Sequence, residues 1–328
     1  MIIEGVRPFA GQHCETTTLG VLLYHAGVEL SEPMMFGLGA GLGFIYWDAK
    51  NMDFPFIGGR TKPTLISRGV ANRLGLTLRV EETGSAAKAW RQVADEIVAG
   101  RPVGLQLDCY HLDYFTTKVH FGGHFVAMYG YDDTRAYLVD TAPQGGQVRT
   151  TLASLAAARA ERGPMTARHL SYTITRAADP PPLSTVVGAA VRANAEDFLN
   201  PPIANLGYQG IAKAARLVPG WLDRSTDPQH DLTLAATLME RGGTGGALFR
   251  NLYRDFLAEC VALVDDDGLR RAHHMFTALA PRWTEVSERI AAAGETRDPG
   301  HLAGAGEILR DLADREHAAM RALAEVRS

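Results

Sequence analysis

The run Asp179-Pro180-Pro181-Pro182 divides the chain into two separate folding problems. Consecutive prolines hold an extended backbone and donate no N–H, so they interrupt helix and sheet alike and act as a stiff spacer. Before this break, short apolar runs alternate with helical patterns. After it, residues 183–199, 211–217, 232–241, 247–264, 269–292 and 301–326 all suit helical patterns, and strand signals are absent. The expectation is an α+β domain over 1–178 and an all-helical domain over 183–328, with its apolar faces turned inward.

Within the first half the pattern predicts helices over 64–74, 86–98 and 152–160. It predicts strands over 44–47, 76–80, 102–107, 125–131, 136–140, 147–150 and 169–175. Ser31-Glu32-Pro33 opens a short capped helix. The glycine-rich stretch from Gly37 to Gly43 is not a dinucleotide fingerprint, because no strand precedes it and no helical pattern follows. Gly39 and Gly41 instead allow close backbone approach, either to core or to a ligand.

The chemistry-bearing stretch is Gly11-Gln12-His13-Cys14-Glu15-Thr16-Thr17-Thr18-Leu19. Leu19, Leu22, Leu23 and Ala26 mark one helix face, which places Cys14 in the first turn of a buried helix. Unpaired N–H groups and the positive end of the helix dipole favour a thiolate there. Three threonines in a row are poor helix formers, so packing must hold this helix. On its own, Cys14 would more readily read as a buried, inert thiol.

A second stretch changes that balance. Residues 125–131 and 136–140 form a strand–turn–strand pattern around Asp132-Asp133-Thr134-Arg135. His124 opens the first strand and Asp140 closes the second, so an antiparallel hairpin brings them side by side. A histidine with a carboxylate on one ring nitrogen and a thiol on the other is the arrangement that activates a cysteine nucleophile.

Charge and composition narrow the partners. A net charge of −4 over 328 residues gives no electrostatic reason to expect nucleic acid or an anionic membrane. Three cysteines do not make a disulfide framework and suit a reducing compartment, so a cytoplasmic location is expected. The N-terminus carries no signal-peptide pattern, and no apolar run reaches a membrane span.

The order of a cysteine at a helix start, a histidine at a strand start and an aspartate at the next strand end resembles the papain-like cysteine peptidases, especially the peptidase domains of bacteriocin-exporting transporters. A closer resemblance is to the butirosin biosynthesis protein H family. It rests on His13-Cys14, Ser31-Glu32, the glycine stretch from Phe36 to Phe44, Gly59-Arg60, His120-Phe121-Gly122-Gly123-His124-Phe125-Val126, Gly130-Tyr131-Asp132-Asp133 and Val139-Asp140. It covers the first half in detail and the second in general character. The resemblance implies an acyltransferase: Cys14 as nucleophile, His124 as base and then acid, Asp140 as the residue that orients it. It implies a donor thioester, on the phosphopantetheine of an acyl carrier protein or of the CoA type, and a small-molecule amine or hydroxyl acceptor, with no cofactor. A cysteine peptidase or amidase with the same three residues is the alternative, and a homodimer stays open.

Papain-like peptidases usually carry a glutamine several residues before the cysteine to help form the oxyanion hole, and here that place is held by Pro8. Either Gln12 takes the role from a different spacing, with His13 beside it, or backbone N–H groups at Cys14 suffice. Asp108-Cys109-Tyr110-His111-Leu112-Asp113 with His120 and His124 lacks the spacings of a common zinc site, so no metal is expected. Asp108 and His120 instead face a polar pocket suited to an amine, or are ordinary surface residues. Arg241-Gly242-Gly243-Thr244-Gly245-Gly246-Ala247 could cradle a phosphate, but more simply connects two helices.

Overall fold

Packing, not propensity, makes the first helix. Helix α1, Cys14–His25, contains three threonines, yet every residue from Cys14 to Leu23 is buried. The structure, a computed structural model, describes residues 1–50 and 52–327. After α1 come α2 (Glu32–Leu38), β1 (Leu42–Trp47), β2 (Phe56–Arg60), α3 (Leu65–Arg73), β3 (Thr77–Glu81), α4 (Ala86–Val98) and β4 (Val103–Leu107). Then follow β5 (His124–Tyr131), β6 (Arg135–Val139), β7 (Gln147–Thr151), α5 (Leu152–Ala160) and β8 (Ser171–Thr175). The rest is helical: α6 (Val187–Leu199), α7 (Gly207–Leu217), α8 (Trp221–Arg224), α9 (Pro228–Arg241), α10 (Arg250–Leu263), α11 (Asp267–Thr296) and α12 (Pro299–Ala324).

The chain separates into two compact units. One is Met1–Met35 with Pro63–Pro181; the other is Phe36–Lys62 with Pro182–Ser328. A single cut at the prolines, with 1–178 on one side and 183–328 on the other, therefore needs correction: residues 36–62 fold with the helices. Hydrogen bonding explains why. Asn194 on α6 accepts from the Leu42 N–H at 3.2 Å and donates to the Leu42 carbonyl at 2.7 Å, so a helix side chain caps strand β1. The Tyr46 hydroxyl of β1 meets the Trp221 indole N–H of α8 at 3.3 Å. Strand β2 pairs antiparallel with β1 and gives this unit a hairpin that the sequence pattern did not reveal. Two of its five residues, Gly58 and Gly59, are poor strand formers. Gly59 is required there, since a Cβ would lie 2.4 Å from the Leu248 carbonyl oxygen.

The first unit is a six-stranded sheet in the order β3-β8-β4-β5-β6-β7, every neighbour antiparallel. Val93 and Ile97 of α4 and Leu155 and Ala158 of α5 share a core with Leu105 of β4, Val126 and Met128 of β5 and Leu138 of β6. The alternate β5 residues Phe125 and Ala127 point to the other face, and α1 packs on the sheet at β5. Covered on both faces, β4 is buried at all five positions. The result is α+β with a papain-like arrangement: a cysteine-headed helix against an antiparallel sheet, followed in the chain by a helical unit.

Candidate active site

Cys14 is the first residue of α1, and His13 is its N-cap in extended conformation. The loop before it is held by Glu32, which the sequence marked only as part of a short capped helix and of the family resemblance. The Glu32 carboxylate accepts from the Gln12 N–H at 2.9 Å, the His13 N–H at 2.8 Å and the Thr16 hydroxyl at 2.7 Å. A carboxylate at a helix N-terminus satisfies donors that the helix itself cannot. Gly11 permits this crossing, because a Cβ would sit 2.4 Å from Thr17 Oγ1 and 2.9 Å from Glu32 Oε1. The Gly11 carbonyl in turn accepts from the Ala142 N–H at 2.8 Å, which ties the cysteine loop to the segment just after Asp140.

His124 opens β5 opposite Leu107, the last residue of β4. The β5–β6 register Ala127↔Val139 puts Asp140 just beyond the end of β6, beside the start of β5. His124 Nε2 lies 2.8 Å from Asp140 Oδ2. With Nε2 on Asp140, Nδ1 is the ring nitrogen left for the Cys14 thiol, which helps to favour the protonated ring. Cys14 Sγ sits 4.0 Å from the Gly123 carbonyl oxygen, the residue preceding His124. The three residues expected from the sequence are therefore brought together. Burial works to lower the His124 pKa, but the Asp140 carboxylate and the Cys14 side chain outweigh it and hold the imidazole well above its ordinary value.

Asp140 is itself fixed on three sides. Its Oδ1 accepts from the Thr141 N–H at 2.6 Å, and its Oδ2 also accepts from the Tyr114 hydroxyl at 2.8 Å. The Phe115 ring stands edge-on to His124, with centroids 5.3 Å apart. Tyr114 and Phe115 lie in the long β4–β5 connection, where no periodic pattern marks them. Burial first, then Asp140, pushes the Tyr114 phenol well up, so it stays a donor. Burial likewise pushes up the thiols of Cys109 and Cys260, which leaves them poor nucleophiles.

The remaining expected positions divide. Gln12 has an exposed side chain, and the Gln12 and His13 N–H groups point at Glu32, so neither N–H is positioned to receive an oxyanion. Asp108 and His120 do meet, at 3.3 Å, but buried Asp108 also accepts from the Tyr110 and Phe121 N–H groups at 2.9 and 3.2 Å. Its oxygens fold the loop on which it sits. Gly39 and Gly41 belong to the second unit. At Gly41 the close approach is to core: a Cβ would lie 2.7 Å from the Phe36 carbonyl oxygen. The 242–246 loop, considered as a phosphate cradle, supplies its own anion, since Glu240 accepts from the Ala247 N–H at 3.1 Å.

An antiparallel sheet, a helix headed by cysteine and a histidine held by a buried aspartate define the class of the papain-like cysteine enzymes. The model of a domain of unknown function, DUF4872, matches residues 153–323, more than half of the chain, so the chain belongs to that family. The model described as butirosin biosynthesis protein H, N-terminal, matches residues 13–141, a span that begins next to Cys14 and ends next to Asp140. The first half is thus similar to the N-terminal part of butirosin biosynthesis protein H. No curated protein matches the chain. Among solved structures, one described as a C39-like peptidase from Bacillus anthracis is 16% identical, with a TM-score of 0.37 over 54% of this chain and 98% of that one. Among the described residues, no helix is long and apolar enough to cross a membrane.

Proposed function

We propose that the chain is a cysteine-dependent acyltransferase. It would take an acyl group from the phosphopantetheine thioester of an acyl carrier protein to a small-molecule amine. The observation that carries this reading is the Cys14–His124–Asp140 set at the head of α1 and the open end of the β5–β6 hairpin. The match to the butirosin biosynthesis protein H type supports transfer over hydrolysis.

The chemistry balances in two steps. Cys14 sulfur attacks the thioester carbonyl carbon, the bond to the carrier sulfur breaks, and the departing thiolate takes a proton from His124. The acceptor amine then attacks the Cys14 thioester, gives its proton to His124 and forms an amide, while the Cys14 sulfur leaves as thiolate. Exchange of one thioester for another is nearly balanced, and aminolysis runs downhill. The raised His124 pKa suits the first step, where imidazolium must hold a proton for the leaving thiolate. Water competes for the acyl-enzyme, so a transferase must hold the amine and keep water out.

Intact-mass analysis after mixing with an acyl-thioester should show one added acyl group on the wild type and none on Cys14→Ala. Amine should discharge that adduct into amide faster than water discharges it into acid. An adduct that amine leaves untouched while water removes it would make the protein a peptidase or amidase instead.

A further inference from the structure

We propose that His111, His120 and Glu161 form a site for a divalent transition-metal cation of the zinc type, outside the Cys14 site and against the expectation from the sequence. One ring nitrogen of each histidine and one carboxylate oxygen of Glu161 all lie within 4.8 Å of one another. His111 Nε2 and Glu161 Oε2 are 2.6 Å apart. Ligands about 2.0–2.2 Å from a tetrahedral zinc ion are about 3.3–3.6 Å from each other, so small side-chain shifts would admit the ion. Two imidazoles and one carboxylate, with a position left for water, are a donor set that suits zinc.

The surroundings hold the donors in the way ligating side chains are held. Asp108 is 3% exposed, and its Oδ2 lies 3.3 Å from His120 Nδ1. A ligating histidine characteristically gives its second ring N–H to a carboxylate, which fixes its tautomer and orientation. Tyr110 stacks on the His120 ring at 4.0 Å, although that ring is otherwise half-exposed. The Ser154 hydroxyl donates to the His111 carbonyl at 2.6 Å, which anchors that residue from α5. Glu161 is the C-cap of α5, where the helix dipole favours a cation.

The three donors come from three places: the single turn Cys109–His111, the loop before β5, and the end of α5. No short spacing motif joins them, because Glu161 lies 50 residues from His111. A cation bound there would staple both ends of the loop that presents Tyr114 to Asp140 and Phe115 to His124.

The test is zinc titration of the full chain, stripped with chelator, in a Cys14→Ala background so that a thiolate–imidazole site cannot contribute. One equivalent should bind. Asp108→Asn should weaken binding about 10–100-fold, and His111→Ala, His120→Ala and Glu161→Gln should weaken it more. His120→Ala decides the matter if a buried variant fails to fold, since its ring is half-exposed. Cobalt(II) should give a d–d band without a thiolate charge-transfer band. No stoichiometric binding, binding indifferent to His120→Ala, or a thiolate charge-transfer band would overturn the site.

Discussion

His124 is the residue on which the candidate site turns, and its charge state can be measured directly. Asp140 and Cys14 raise its pKa despite burial, so the fold stabilises the protonated ring. That contribution to stability is whole below about pH 6.5 and is lost as pH rises through the folded value. An NMR titration of His124 should therefore show a midpoint above about 6.5 in the wild type and a lower one in Asp140→Asn. A midpoint at or below the ordinary value in the wild type would remove Asp140 as the dominant influence. Asp140→Asn should also slow turnover by about ten-thousandfold, as in serine triads, and adding it to Cys14→Ala should cost little more. Tyr114→Phe leaves Asp140 Oδ2 with one donor fewer. It should cost about 1–3 kcal/mol of stability, the scale of a hydrogen bond to a buried charge, and slow iodoacetamide alkylation of Cys14. Unchanged stability and alkylation would make the phenol a bystander. The three central residues were legible in the sequence because each sits at the end of a periodic element, where period and turn chemistry fix position. Tyr114 was not, because a loop residue that acts through a single hydrogen bond leaves no periodic trace; nor was the part played by Glu32, whose place at the start of α2 does not reveal that its carboxylate gathers donors from Gln12, His13 and Thr16.

Elements show the same division. Helix α4 falls on its expected bounds, since Ser85 caps it and its apolar residues recur at helical spacing. Strand β2 and the single-turn helix α8 escaped, one carrying two glycines and the other spanning four residues. The most strained connection lies ahead of α10, where Ala247, Leu248 and Phe249 all have positive φ, at 50°, 48° and 74°. Side chains with a Cβ rarely adopt that region, so something must hold it. Arg250 Nη1 donates to the Leu248 carbonyl at 2.8 Å, while Nε and Nη2 donate to Glu316 of α12 at 2.9 and 2.8 Å. The Trp283 indole N–H of α11 adds a third donor to Glu316, which is fully buried. Glu316→Gln should cost about 3–5 kcal/mol by leaving a buried guanidinium uncompensated. Arg250→Met combined with Glu316→Leu should be far less damaging than the sum of the single changes, read by urea denaturation. Additive losses would mean that the pair is not the clamp.

At the scale of the whole molecule, the composition shift at Pro180–Pro182 marked where the second unit resumes, but not where it first begins. The chain passes between units at three places, after Met35, after Lys62 and after Pro181. The first two were illegible, because no run of prolines marks them and residues 36–62 look like one more αβ segment. Their partners, Asn194, Trp221 and Leu248, lie more than a hundred residues away, beyond the range of any local pattern. A fragment ending at Pro181 keeps residues 36–62 but loses the helices that bury Phe36, Leu42, Phe44 and Tyr46, each at most 2% exposed in the full chain. Fully burying an aromatic or large aliphatic side chain contributes about 1.5–3 kcal/mol, so exposing four together leaves a strongly apolar surface. That fragment should self-associate on size-exclusion chromatography. The same fragment with 36–62 replaced by a glycine–serine linker keeps every strand of the six-stranded sheet and all of Cys14, His124 and Asp140. It should run as a monomer, unfold cooperatively and still be alkylated at Cys14. If the uncut fragment is instead the monomeric, cooperative one and the linker version aggregates, then residues 36–62 belong with the sheet and the division of the chain is a single one at the prolines.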